Sequence, residues 1–208
     1  MSGPESEAAA GRALGAVLAG GQSRRMGAAK AAVQLGGRPL ISYPLAAFAA
    51  AGLDHVVVAK ERSHLPALSC PVLREPPAPR HPLCGVLAAL RAAARPVLVV
   101  GCDMPFLTAP LLAWLAGLDG AVVAEVGGEL QPLPARYEPR QAGELEGALR
   151  DGRAMRDALA SLRPRIVRES ELERFGRPQT LLFNVNDAAD LAAAEQKLGR
   201  GSGRAGIR

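Results

Sequence analysis

Pro96-Val97-Leu98-Val99-Val100-Gly101-Cys102-Asp103-Met104-Pro105 is the stretch on which the fold turns. Val97 to Val100 has no polar side chain at alternate positions, so both faces of a strand over Pro96–Val100 must be buried, as in the middle of a parallel sheet. Asp103 is the first charged side chain after it. On the amino side, Leu83–Ala94 reads as an Ala/Leu helix ended before Pro96, and the Pro-rich stretch Cys70–Pro82 before it cannot be regular helix. On the carboxyl side, Thr108 is placed to cap a helix through about Leu118, with Pro110 in its first turn.

Further out, Ala13–Leu18 is a second apolar run that breaks at Gly20-Gly21. Pro39–Ala51 has helical spacing and stops at Gly52 before the β-branched run Val56-Val57-Val58. Ala121–Val126 and Leu130–Tyr137 flank Gly127-Gly128 as a hairpin. Helices around Ala142–Leu149 and Arg153–Leu162 follow, then short strands at Ile166–Arg168 and Leu181–Val185, and a closing helix Ala188–Leu198 capped by Asp187. This alternation predicts an α/β three-layer sandwich: a mostly parallel, Rossmann-like sheet with helices on both faces and ligands at the carboxyl ends of its strands. One domain is expected over 13–198, between flexible tails at 1–12 and 199–208, and the sequence has no internal repeat.

The chain has 208 residues, 49% hydrophobic but only 3% aromatic, so its core must be built from Ala, Leu and Val. A formal charge of +5 carried by scattered arginines, with few aromatics to stack bases, points to a small anionic substrate and away from nucleic acid. Cys70, Cys84 and Cys102 have neither paired count nor metal spacing, which fits a reducing cytoplasm. No apolar run reaches membrane-spanning length, and none forms a leader, so no membrane association is expected.

The densest chemistry lies in Leu18-Ala19-Gly20-Gly21-Gln22-Ser23-Arg24-Arg25-Met26-Gly27-Ala28-Ala29-Lys30. Paired glycines let backbone N–H groups approach one anion, and Arg24, Arg25 and Lys30 supply positive charge. On spacing alone the segment also fits an ordinary turn with a solvated basic face. The dinucleotide fingerprint fails for want of a third glycine, and the Walker pattern for want of Gly-Lys-Ser/Thr. Asp103, just past a buried strand, can hold Mg²⁺ through hard oxygen ligation or can simply cap a loop. His55, His64 and His81 have no metal-ligand spacing and read as surface residues; Trp114 and Cys102 read as packing residues.

Taken together, these segments resemble the molybdenum cofactor guanylyltransferase family, within the nucleotidyltransferase superfamily of the sugar-nucleotide and isoprenoid cytidylyltransferase type. The resemblance runs from about Leu14 to Gln196, with four motifs in the family's order. It implies that the backbone at Leu18, Ala19 and Gly20 holds the nucleotide, that Lys30 meets phosphates and that Gly21 discriminates within the superfamily; the charge reading adds the Gly21 amide and the Arg25 cation to the nucleotide site. Glu75, in Arg74-Glu75-Pro76, stands where the family places a guanine-reading Asp. The segment His81-Pro82-Leu83-Cys84-Gly85 matches the family's helix start, and Gly101-Cys102-Asp103-Met104-Pro105 its metal motif. In Phe183-Asn184-Val185-Asn186-Asp187 the resemblance makes Asn186 a metal contact beside Asp103, while Asn184 is equally a turn residue.

The implied reaction is transfer of GMP from GTP to the phosphate of molybdenum-molybdopterin with Mg²⁺, releasing pyrophosphate. Carrier or recipient proteins for the labile cofactor are a further implied partner class. Departures fall at Ala29, Ala59, His81 and Gln131, and they bear on base and acceptor choice more than on reaction type. The alternatives are a cytidylyl- or sugar-nucleotide transferase on the same scaffold, which the Gly20-Gly21 pair disfavours, and a non-catalytic nucleotide-binding regulator.

Overall fold

Strands that are apolar on both sides need cover on both sides, and the fold supplies it. The computed structural model describes residues 12–20 and 29–202. Gly21, Arg24, Arg25 and most of the two expected tails lie outside the described residues. In chain order the elements are β1 (Leu14–Leu18), a 3₁₀ turn at Lys30–Ala32, β2 (Gln34–Leu35), β3 (Arg38–Pro39), α1 (Ser42–Ala50), β4 (His55–Lys60) and β5 (Val72–Glu75). Then come α2 (Pro82–Ala93), β6 (Val97–Gly101), α3 (Ala109–Ala116), β7 (Val122–Val126), β8 (Glu129–Tyr137), α4 (Ala142–Arg150) and α5 (Met155–Ser161). The chain continues with β9 (Arg165–Val167), α6 (Glu169–Leu172), α7 (Pro178–Leu181) and α8 (Ala188–Ser202).

The main sheet has seven strands in the order β5-β4-β1-β6-β8-β7-β9. Strands β5, β4, β1 and β6 run parallel, β8 enters antiparallel between β6 and β7, and β9 pairs parallel with β7. The expected mostly parallel sheet with helices on both faces is therefore what forms.

Alternation along the strands divides the interior into two cores. Val17, Val57, Leu98 and Val100 face one core with Phe48 of α1 and Leu111 and Leu115 of α3. Leu14, Ala16, Val56, Val58 and Val99 face the other with Leu83 of α2, Leu145 of α4 and Leu159 of α5. Gly15 is small for a packing reason: a Cβ there would lie 2.7 Å from the ring of the fully buried Phe48. The tight β7–β8 connection uses Gly127 and Gly128 at φ +63° and +75°, the left-handed pair that a two-residue hairpin turn demands.

Several expected elements change. Leu181–Val185 is not a strand: Pro178–Leu181 forms a short helix ending in the buried Leu181, and Leu182 and Val185 are buried in the chain that follows it. Apolar composition there reports burial, which a buried irregular segment shares with a strand. The strand β5 arises inside the Pro-rich segment, and the β2–β3 hairpin was not expected at all. Thr108 has the extended backbone of an N-cap, but its hydroxyl makes no cap bond. Asp187 does cap α8, its Oδ1 accepting from Ala189 N and Asp190 N at 3.0 Å each. That helix continues to Ser202, past the expected end at Leu198.

Candidate active site

Because β5, β4, β1 and β6 are parallel, their carboxyl ends open onto one edge of the sheet, and cross-strand register aligns Leu18 with Val58 and Gly101, and Lys60 with Glu75. The chain leaving β1 is fixed there from both sides: Cys102 N donates to Leu18 O at 3.1 Å and Ala19 N donates to Val58 O at 2.8 Å. Two polar clusters flank this exit.

Lys30, Asp103 and Asn186 form the first. Lys30 Nζ lies 2.5 Å from Asp103 Oδ2 and donates to Asn186 Oδ1 at 2.9 Å. Lys30 opens the 3₁₀ turn, and Ala29 before it makes no side-chain cap. Gly101 makes room for the acid, since a Cβ at that position would meet Asp103 Oδ1 at 2.2 Å. The backbone ties the carboxyl-terminal motif to the same place: Val185 N donates to Asp103 O at 2.9 Å, and Asn186 N donates to Asp190 Oδ2 at 2.8 Å. Asn184 turns its amide to Leu182 O at 3.1 Å, the turn role. The Lys30 and Asp103 side chains are only 15% and 18% exposed, so the pair sits in a recess that still opens to solvent.

The donor set fits a hard divalent cation. One carboxylate oxygen and one amide oxygen already converge on a single cationic group, here the Lys30 ammonium. No group of three or more His, Cys, Asp or Glu side chains gathers for a metal among the described residues. Such a set supplies only part of a divalent cation's shell and leaves the other positions to water and phosphate oxygens.

Glu75, Lys60, Gly20 and Gly85 form the second cluster. Glu75 Oε1 lies 3.4 Å from Lys60 Nζ, and that ammonium donates to Pro76 O at 2.7 Å. The carboxylate is wedged between two glycines: a Cβ at Gly20 would meet Oε1 at 2.1 Å, and one at Gly85 would meet Oε2 at 3.2 Å. Burial pushes the Glu75 carboxyl above its ordinary range, and the Lys60 ammonium opposes that shift.

Of the residues expected from sequence, Leu18, Ala19, Gly20, Lys30, Glu75, Asp103 and Asn186 are thus gathered at one edge. Lys60 was not anticipated. Gly85 was noted only within the helix-start motif, although a glycine inside a helical pattern is a signal of its own. His81 is not a simple surface residue: its Nδ1 accepts from Leu83 N at 3.2 Å and caps α2. Ala59 is fully buried and offers no polar group. Gln131 turns to Glu129 O at 3.2 Å. Cys102 is buried, with its thiol pushed up by burial and by the neighbouring Asp103 charge, which suits the expected packing role. Trp114 packs with Phe175 at a ring-centroid distance of 5.2 Å.

Comparison with known proteins gives a consistent picture. Residues 15–168 match the family model described as the MobA-like NTP transferase domain. A molybdenum cofactor guanylyltransferase of Cereibacter sphaeroides is 34% identical over 196 residues, covering 90% of this chain and 97% of that relative. The crystal structure of molybdopterin-guanine dinucleotide biosynthesis protein A from Archaeoglobus fulgidus is similar with a TM-score of 0.74 at 27% identity, covering 90% of this chain and 99% of that one. The 2-C-methyl-D-erythritol 4-phosphate cytidylyltransferase of Thermus thermophilus shares the fold, with a TM-score of 0.66 at 22% identity over 90% of this chain and 99% of that one.

Proposed function

The chain belongs to the MobA-like NTP transferase family, and from that premise we propose that it transfers GMP from GTP to the phosphate of molybdenum-molybdopterin, forming the guanine dinucleotide cofactor. The observation that carries this reading is the meeting of Lys30, Asp103 and Asn186 beside the chain that leaves β1. A lysine, a single carboxylate and a neutral amide at the carboxyl ends of parallel strands make a phosphate and metal site rather than a nucleophile–base pair.

In the reaction, a terminal phosphate oxygen of the acceptor attacks the α-phosphorus of GTP in line. The new P–O bond forms as the bond to the bridging oxygen of the β-phosphate breaks, and pyrophosphate leaves. Magnesium, when held by Asp103 and Asn186, supplies charge neutralisation to the triphosphate. Lys30, joined by Arg25, holds phosphate oxygens, and the backbone at Leu18, Ala19, Gly20 and Gly21 lines the nucleotide. Glu75 accepts hydrogen bonds from guanine N1–H and the 2-amino group, the specificity that separates guanine from the other bases. We place it in the reducing cytoplasm, which its three free cysteines suit. No helix among the described residues is long and apolar enough to cross a membrane.

Incubating the purified protein with magnesium, molybdenum-molybdopterin and each of GTP, ATP, CTP and UTP tests the reading. Pyrophosphate release with GTP, dependent on the acceptor, is the expected result. Release with CTP in its place would assign a cytidylyl transfer. Binding of GTP without any release would assign a regulator.

A further inference from the structure

We infer that Lys60, at the carboxyl end of β4, is a base-selecting residue that donates a hydrogen bond to guanine O6 while Glu75 accepts from N1–H and the 2-amino group. This rests on the reading of GTP as donor and adds a residue to it.

Lys60 and Glu75 are register partners across β4 and β5, so both side chains leave the sheet at the same level. Their side chains are 18% and 7% exposed, which is unusual seclusion for a lysine and a glutamate. An ammonium has three N–H groups, and two are met among the described residues, by Pro76 O at 2.7 Å and by Glu75 Oε1 at 3.4 Å. The third is the donor assigned here. Lys60 is anchored rather than swinging freely: its own carbonyl accepts from Arg74 Nη1 at 3.0 Å while its ammonium holds the Pro76 carbonyl. Gly20 brings the chain leaving β1 directly against this pair, since a Cβ there would lie 2.1 Å from Glu75 Oε1 and 3.7 Å from Lys60 Cγ.

The pair therefore offers two acceptor oxygens beside one cationic donor. Guanine's edge carries the complement, two donors at N1 and the 2-amino group beside the O6 acceptor. Adenine reverses two of the three contacts, setting its 6-amino group against the ammonium and its bare N1 against the carboxylate, and it loses the third by having only C2–H in place of the 2-amino group. Cytosine likewise sets an amino group and a bare nitrogen where O6 and N1–H are wanted. Buried polar groups left facing like groups are what make such a site reject the wrong base. Lys60 also opposes the desolvation of Glu75 and so favours the ionised form that accepts both hydrogen bonds.

Equilibrium binding of GTP, 6-thioguanosine triphosphate, inosine triphosphate and ATP to wild type, Lys60→Met and Lys60→Arg separates the outcomes without any acceptor. The sulfur analogue weakens only the O6 contact, and inosine removes only the 2-amino contact. Wild type should prefer GTP to the sulfur analogue by about tenfold, the size of one hydrogen bond to a charged group. Lys60→Met should lose that preference yet keep the preference for GTP over inosine triphosphate, and Lys60→Arg should retain both. A Lys60→Met protein that keeps the wild-type preference over the sulfur analogue, or that weakens every nucleotide by the same factor, overturns the inference. So does a wild type that prefers GTP to ATP yet does not distinguish GTP from the sulfur analogue, a result needing no variant to fold. A wild type that binds GTP no better than ATP removes the underlying GTP reading as well.

Discussion

Lys30 and Asp103, 73 positions apart in the chain, meet at 2.5 Å beside the carboxyl ends of β1 and β6. The contact joins the first residue of the 3₁₀ turn to the acid after β6, and Asn186 closes it from a third segment at 2.9 Å. Replacing either member of the pair should damage the chemistry in a different way. Asp103→Asn should abolish magnesium-dependent pyrophosphate release while leaving the circular dichroism spectrum unchanged. Lys30→Ala should chiefly raise the Kd for GTP, by about ten- to 100-fold if one charge-assisted hydrogen bond to phosphate is lost. A pyrophosphate assay with circular dichroism checks the first and isothermal titration the second, and a wild-type GTP affinity in Lys30→Ala would remove the phosphate role.

Glu75 gives the binding reaction a pH dependence of predictable sign. Its carboxyl is held above its ordinary range, first by burial, with Lys60 acting in the opposite direction. Reading guanine requires the ionised form, so GTP affinity should fall as pH drops through that raised value, and Glu75→Gln should lose this titration along with most of the base preference. The stability of the free protein runs the other way. A folded pKa above the unfolded one gives stability that is complete below the unfolded pKa and is lost as pH rises through the folded one. Wild type minus Glu75→Gln in denaturant unfolding should therefore decline across that window, while GTP binding rises across it.

Two glycines separate packing from recognition. At Gly15 the obstacle to a Cβ is the Phe48 ring at 2.7 Å, fully buried and unable to retreat. Gly15→Ala should therefore overpack the core and cost about 1–3 kcal/mol of stability. At Gly20 the nearest obstacle is Glu75 Oε1 at 2.1 Å, the far end of a side chain that can swing away. Gly20→Ala should leave the melting temperature close to wild type and reduce GTP affinity by displacing the carboxylate. Thermal unfolding and GTP titration of the two variants should give opposite rankings.

The same contrast marks what the sequence made legible. The strands around Val97–Val100 and Ala13–Leu18 were readable because burial on both faces leaves no polar alternation, and the hairpin at Gly127-Gly128 because paired glycines readily adopt two successive left-handed conformations. Leu181–Val185 was misread because a buried irregular segment is as apolar as a strand. Lys30 and Asp103 stood out in the local chemistry as charges just past buried strands, whereas Glu75 and Asn186 were visible only through family motifs. Lys60 was not, since nothing next to it in the chain reveals that β5 will place Glu75 beside it; sheet register alone makes that pair.

Asn186 is held from behind by the first turn of α8, and loosening that hold should cost activity without removing any group that faces substrate. Asp187 Oδ1 caps Ala189 N and Asp190 N at 3.0 Å each, and Asp190 Oδ2 accepts from Asn186 N at 2.8 Å. Asp187→Ala should lose about 0.5–2 kcal/mol, the usual value of an N-cap. Asp190→Ala removes only the bond to the Asn186 backbone, so its stability should change less while its kcat falls, because the Asn186 amide no longer meets Lys30 in register. Steady-state pyrophosphate release and chemical denaturation on both variants check the ordering. An Asp190→Ala enzyme with unchanged kcat would show that the contacts with Lys30 and Asn184 O, with the Val185–Asp103 backbone bond, position Asn186 without it.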